Sequence, residues 1–276
     1  MIPFTKMHGL GNDCVIIDAR DEPIMLSEAQ IRLIADRRRG VGCDQLVILE
    51  LPKTGDADVF LRFYNSDGSE SGACGNATRC IAARLMQAQS VDTLSIQTAA
   101  GLLHADVDAR GLVAIDMGEA QLDWQQIPLK EAMDTLVLNL AAGPFAGPSA
   151  VGIGNPHCVF FVDDAEKVDI SKLGPKVEQD PIFPERTNVE FVTVQGRDRI
   201  RMRVWERGAG ITEACGSGAC AVAVAAARRG LTDRRVEVVL DGGSLFIEWR
   251  DDNHVVMSGP VTFVFTGEFD MSVDAA

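Results

Sequence analysis

The chain has 276 residues, of which 46% are hydrophobic and 24% charged. That is ordinary for a globular protein and long enough for one large core or two smaller ones. Its 40 acidic residues outnumber its 26 basic ones, and the net charge of −14 argues against a nucleic acid or an anionic membrane as the main partner.

The N-terminus, MIPFTKMHGLGND, lacks a signal-peptide core. The longest apolar run, Ala219 to Ala227, is too short to cross a bilayer. A cytoplasmic location with reduced thiols is expected. The seven cysteines form no Cys-x-x-Cys pair, so a zinc ribbon or a thioredoxin-like motif has no support, and no metal is expected.

In chain order, the first predicted helix runs from Ser27 to about Arg38, with Ser27 and Gln30 spaced as a capping box. QLVILE (45–50) and DVFLRFY (58–64) read as strands. A second helix follows SGACGNATRC (71–80). LVAIDM (112–117), TLVLNL (135–140), HCVFFV (157–162) and VEFVTV (189–194) are further strand candidates. RIRMRVW (199–205) alternates, with Ile200, Met202 and Val204 on one face and three arginines on the other, as a half-buried strand does. A third helix follows TEACGSGACA (212–221); it is apolar on every side until Arg228 and Arg229 and stops at Gly230, which describes a buried helix wrapped by strands. RVEVVL (235–240), SLFIEW (244–249) and TFVFTG (262–267) complete the strands.

The two Ala-Cys-Gly turns belong to a longer repeat. GNDCVIID matches GNPHCVFFVD, and CDQLVIL matches TNVEFVTV. Asn12 precedes Gln45 by 33 positions, as Asn155 precedes Asn188; Tyr64 precedes Cys74 by ten, as Trp205 precedes Cys215. Internal duplication explains this order. The predicted fold class is α+β: two pseudo-symmetric domains, each a mostly antiparallel curved sheet or barrel around a central helix, with an active-site cleft between them. The predicted boundaries are 1–118 with a returning strand at 263–276, and 119–262.

A glycine-flanked cysteine at a helix start meets unpaired N–H groups and partial positive charge, which bind a carboxylate and favour thiolate. Two such turns facing one ligand suit inversion at a carbon bearing hydrogen: one sulfur removes the proton, and the other returns a proton to the opposite face. Cys74 and Cys215 are the candidates. The remaining cysteines (Cys14, Cys43, Cys80, Cys158 and Cys220) read as small buried hydrophobes.

MHGLGND, GCDQ, NSDGSESGACGNATRC, GNPH, ERGAG and ACGSGACA, in this order over nearly the whole chain, resemble the motifs of the diaminopimelate epimerase family. The resemblance implies a cofactor-independent, usually homodimeric epimerase that interconverts LL- and meso-2,6-diaminopimelate for lysine and peptidoglycan biosynthesis. It implies no pyridoxal phosphate or other cofactor, Cys74 and Cys215 as the acid/base pair, and His157 and Glu206 tuning their pKa values. Gly75, Asn76, Gly216 and Ser217 would offer backbone N–H groups to the reacting α-carboxylate. Asn12, Gln45, Asn65, Asn155, Asn188, Glu206 and Arg207 would hold the substrate, with Glu206 and Arg207 suited to its distal ammonium and carboxylate. Three positions depart from the commoner family pattern: Cys14 in place of Phe, Ala77-Thr78 in place of Gly-Ala, and Phe265 in place of a tyrosine at a dimer contact. The alternatives are a racemase of another amino acid on the same fold, or a thiol redox-sensing or ligand-binding protein.

Overall fold

The fold is taken from a computed structural model that describes residues 1–271. These residues divide into two compact units. Unit 1 comprises residues 1–115 with 259 onward, and unit 2 comprises 116–258.

The strands of unit 1 are β1 (Ile2–Gly9), β2 (Asn12–Asp18), β3 (Gln45–Glu50), β4 (Val59–Asn65), β5 (Glu70–Ser71), β6 (Thr93–Thr98), β7 (Gly101–Val107) and the start of β8 (Val113–Glu119). Unit 2 holds β9 (Ala141–Ala142), β10 (Phe145–Ala146), β11 (Ser149–Gly152), β12 (Pro156–Phe161), β13 (Asn188–Gly196), β14 (Arg199–Glu206), β15 (Gly210–Ile211), β16 (Arg235–Leu240), β17 (Gly243–Trp249) and most of β18 (His254–Gly259). The last strand, β19 (Thr262–Phe269), returns to unit 1 and pairs antiparallel with β1. Of the returning segment expected at 263–276, residues 272–276 lie outside the described residues.

The strands of the two units repeat one pairing scheme. In unit 1, β1–β2 is antiparallel, β2–β3 parallel, β3–β4 antiparallel, β4–β6 parallel, and β6–β7 and β7–β8 antiparallel. In unit 2 the same sequence of senses runs from β11 through β12, β13, β14, β16 and β17 to β18. The registers agree residue by residue: Cys14 lies opposite Gln45 in the first parallel pair of unit 1, and His157 opposite Asn188 in that of unit 2.

Each unit carries two helices in equivalent places. In unit 1, α1 (Glu28–Ala35) joins the first parallel strands, and α2 (Gly75–Gln89) joins the second. In unit 2 the same joins are made by α3 (Ile170–Glu178) and α4 (Gly216–Arg228). Parallel neighbours need such crossovers. The burial of α4 is nearly complete, from Gly218 through Ala226, as its unbroken apolar sequence requires. On the other side of the unit 2 sheet, Phe160 and Phe191 stack with centroids 5.2 Å apart in a core that includes Ile170 and Val177 of α3.

Three sequence expectations are corrected. The first helix keeps its Ser27–Gln30 capping box but ends at Ala35, not Arg38, because the Asp36 carboxylate accepts from the Arg38 and Arg39 amides and turns the chain. TLVLNL is not a strand: Asp134 caps the Leu136 amide, the Thr135 hydroxyl donates to the Leu122 carbonyl, and the segment's backbone groups pair irregularly with residues 148 and 150. The helix α3 was not foreseen, since its Gly174-Pro175 reads as a breaker. Gly174 is required there, because a Cβ on it would lie 2.5 Å from Trp205 Cγ.

Candidate active site

Both cysteine turns are helix N-caps. Cys74 has extended backbone (φ −146°, ψ 110°) and its Sγ accepts from the Ala77 amide at 3.5 Å. Cys215 (φ −117°, ψ 108°) accepts from the Gly218 amide at 3.4 Å and contacts Ser217 Oγ at 3.7 Å. Sulfur thus stands where Ser, Thr, Asp or Asn usually caps a helix, held at the positive end of the helix dipole. Gly75 and Asn76, and Gly216 and Ser217, lie in the first turns of α2 and α4, where helix amides point out along the axis.

Around Cys74, the Asn12 carboxamide Oδ1 faces the sulfur at 3.8 Å. Asn12 starts β2 and is held from behind by Asp44 Oδ2, 3.4 Å from its Nδ2. Asp44 belongs to a charged cluster in which Lys6 meets Asp13 at 2.6 Å and Arg37 bridges Asp13 and Asp44 at 2.8 Å each. The two cations outweigh burial and hold the Asp13 carboxyl far below its ordinary 3.8. Gln45 and Asn65 lie opposite each other across β3 and β4, joined at 3.4 Å, and the buried Gln45 Oε1 has no hydrogen-bond partner among the described residues.

Around Cys215 the neighbours are ionisable. Glu206, at the end of β14, accepts from the Thr212 hydroxyl, and its charge acts on the Cys215 thiol. A methyl placed on Gly218 would stand 2.9 Å from Glu190 Oε1 and 3.1 Å from Cys215 Sγ, so carboxylate and sulfur flank one glycine. His157 is fully buried, with Nδ1 2.6 Å from Glu190 Oε1 and Nε2 2.9 Å from Asn155 Oδ1. Asn188 donates to the Pro156 carbonyl at 3.0 Å and accepts the Arg207 amide at 2.9 Å, while the Arg207 guanidinium reaches the Glu185 carbonyl at 3.0 Å.

Burial pushes the Cys215 thiol well above 9.0, and the nearby Glu206 and Glu190 charges push in the same direction. The Gly218 amide and Ser217 hydroxyl oppose this without reversing it. The expectation that a helix start favours thiolate therefore fails for Cys215, because desolvation and two carboxylates outweigh the dipole. Burial likewise raises the Glu206 carboxyl above 4.5.

The structure brings Asn12 to Cys74, Gln45 to Asn65, Asn155 to His157, Asn188 to Arg207 and Glu206 to Cys215. Sequence reasoning missed Glu190 and Glu178. Glu178 is buried; it accepts Trp205 Nε1–H at 2.6 Å and the Gly208 amide at 3.0 Å, and so clamps both sides of the Glu206-Arg207 turn. A signal for Glu190 existed: one acid inside the otherwise apolar VEFV run must be buried or mark a strand end. Among the described residues no group of three His, Cys, Asp or Glu side chains could hold a metal ion. No helix among them is long and apolar enough to cross a membrane.

The fold is similar to that of a probable proline racemase from Agrobacterium radiobacter K84, with a TM-score of 0.71, 13% identity and coverage of 99% of this chain and 94% of that one. Diaminopimelate epimerase from Rhodospirillum centenum is 58% identical over 265 residues, covering 96% of this chain and 91% of the relative. Diaminopimelate epimerase from Acidiphilium cryptum is 54% identical over 271 residues, covering 98% and 97%. The family model described as diaminopimelate epimerase matches residues 4–122 and 149–264. With matches this long at this identity, the chain belongs to the diaminopimelate epimerase family of isomerases.

Proposed function

We propose that this protein interconverts LL- and meso-2,6-diaminopimelate by two-base proton transfer, without a cofactor, in the cytoplasmic synthesis of lysine and peptidoglycan precursors. Cys74 and Cys215 act on opposite faces of one α-carbon. The observation that carries the reading is that each cysteine caps a helix in the same place of a duplicated unit, with Sγ among first-turn amides.

Cys215, kept protonated by burial and its two carboxylates, is the acid at the start of one direction. Cys74 is then the base. When the reaction runs backward they exchange roles. The α-carboxylate accepts amides of Gly75, Asn76, Gly216 and Ser217, which stabilise the charge that develops as the proton leaves. Asn12, Gln45, Asn65, Asn155, Asn188, Glu206 and Arg207 hold the substrate, Gln45 Oε1 being an acceptor for an ammonium. His157 and Glu206 tune the thiols. Homodimerisation through β19 belongs to the same reading.

The test is deuterium wash-in. In D₂O the wild-type protein incorporates deuterium at one α-carbon of diaminopimelate and not into proline. Cys74→Ala and Cys215→Ala each lose at least about 100-fold of that rate, the usual contribution of a positioned acid or base. Wild-type protein that leaves diaminopimelate unlabelled, or a cysteine variant that keeps its rate, overturns the proposal.

A further inference from the structure

The repeat provides an internal control for residues of unit 2 that lie in matched register with unit 1. Because Cys14 faces Gln45 as His157 faces Asn188, the counterpart of Glu190 is Val47, two residues along the same strand face. Cys14 and Val47 are buried and unionised; His157 and Glu190 are both 0% exposed and ionisable. The sheet therefore does not need charge at these positions.

A buried carboxylate is retained only with compensation. Among the described residues Glu190 forms an ion pair with no Lys or Arg; its Oε1 contacts His157 Nδ1, and its Oε2 has no hydrogen-bond partner. One proton must lie between Oε1 and Nδ1, since two bare acceptors at 2.6 Å would repel. At the other end of the ring, Nε2 faces the Asn155 carbonyl oxygen, so it too carries a proton. Whichever member of the pair formally owns the shared proton, Nε2–H remains.

We propose that Glu190 is a positioning residue: it locks the His157 ring so that Nε2–H holds Asn155 Oδ1, turning the Asn155 amide NH₂ outward as a donor for a substrate carboxylate. This rests on the substrate-binding role given to Asn155 above. Without the lock, the ring can present a bare Nε2, the carboxamide turns over, and an oxygen confronts the carboxylate.

The decisive variants are Glu190→Val, the residue that unit 1 tolerates in this register, and Glu190→Gln, whose amide still meets Nδ1. In the ¹⁵N-histidine NMR spectrum of the wild-type protein, the His157 Nε2 signal shows a directly bonded, slowly exchanging proton; His157→Gln assigns it. Glu190→Val loses that protection and raises KM for diaminopimelate about tenfold or more while kcat changes less, as loss of a hydrogen bond to a charged group does. Glu190→Gln keeps the Nε2–H signal and a KM within about threefold of wild type, a bond retained at little net change.

A wild-type Nε2 without a proton overturns the proposal. So does a Glu190→Val protein with unchanged KM, or a Glu190→Gln protein as impaired as Glu190→Val. Should Glu190→Val not fold, the wild-type and Glu190→Gln spectra decide alone. Wild-type protein inactive on diaminopimelate would remove the functional reading while the NMR measurement still tests the lock.

Discussion

Two cysteines occupy the same backbone conformation and differ in what surrounds them. Cys74 is half-buried beside a carboxamide, whereas Cys215 is buried beside Glu206 and Glu190. Removing one negative neighbour should lower the Cys215 thiol's pKa, since a nearby anion disfavours thiolate. In Glu206→Gln, the rate of Cys215 alkylation by iodoacetamide should begin to rise at a lower pH than in wild type. Mass spectrometry of the labelled peptide measures it, and an unshifted or upshifted profile shows that Glu206 does not act on the sulfur. Cys74 and Cys215 were legible in the sequence because glycine on one side and a helix pattern on the other mark an N-cap. The raised Cys215 pKa was not legible, because it depends on burial and on carboxylates brought in from β13 and β14 by strand register.

At the scale of elements, strands flanked by turn residues and helices with caps could be read, and the irregular connections could not. TLVLNL has the composition of a strand, yet the polar groups nearest to it settle its backbone bonds before a partner strand can. Conversely, α3 tolerates Pro175 because Asp169 caps its start and Ile170, Gly174 and Val177 are buried beneath it. The turn between β1 and β2 owes its position to the Lys6–Asp13–Arg37–Asp44 cluster, which also sets Asn12 against Cys74. Asp13 has a folded-state pKa depressed below 3.8, so its stabilisation is complete above that pH and is lost as pH falls through the folded value. Asp13→Asn should destabilise the protein at pH 7 by about 3 kcal/mol, since it leaves the Lys6 ammonium buried without its partner. The gap between variant and wild type should narrow as the pH is taken below 3.8. Thermal unfolding followed by circular dichroism at pH 7 and in acid checks both statements; a gap that widens in acid contradicts the assignment.

At the scale of the whole molecule, the duplication was written in the spacing of a few landmarks, and the matched order of parallel and antiparallel pairs carries it through both units. The spacing slips by two residues between the second and third landmarks for a visible reason. β3 and β4 are joined by residues 51–58, whereas β13 and β14 are longer and joined by Arg197-Asp198 alone. β19 has no counterpart in this scheme. It lies along β1, with Phe4 and Phe265 in edge contact at 5.8 Å, yet Phe263, Val264 and Phe265 remain 58%, 46% and 43% exposed. Three consecutive large apolar residues exposed on one strand are what a surface covered by another chain presents, and isolated exposed hydrophobics would need no such account. If a second copy covers them, the wild-type chain should sediment as a dimer at micromolar concentration. Phe265→Asp, which would place a carboxylate in the contact, should sediment as a monomer with its far-ultraviolet spectrum intact. A wild-type monomer, or a Phe265→Asp protein that stays dimeric, would show that β19 is not the dimer face.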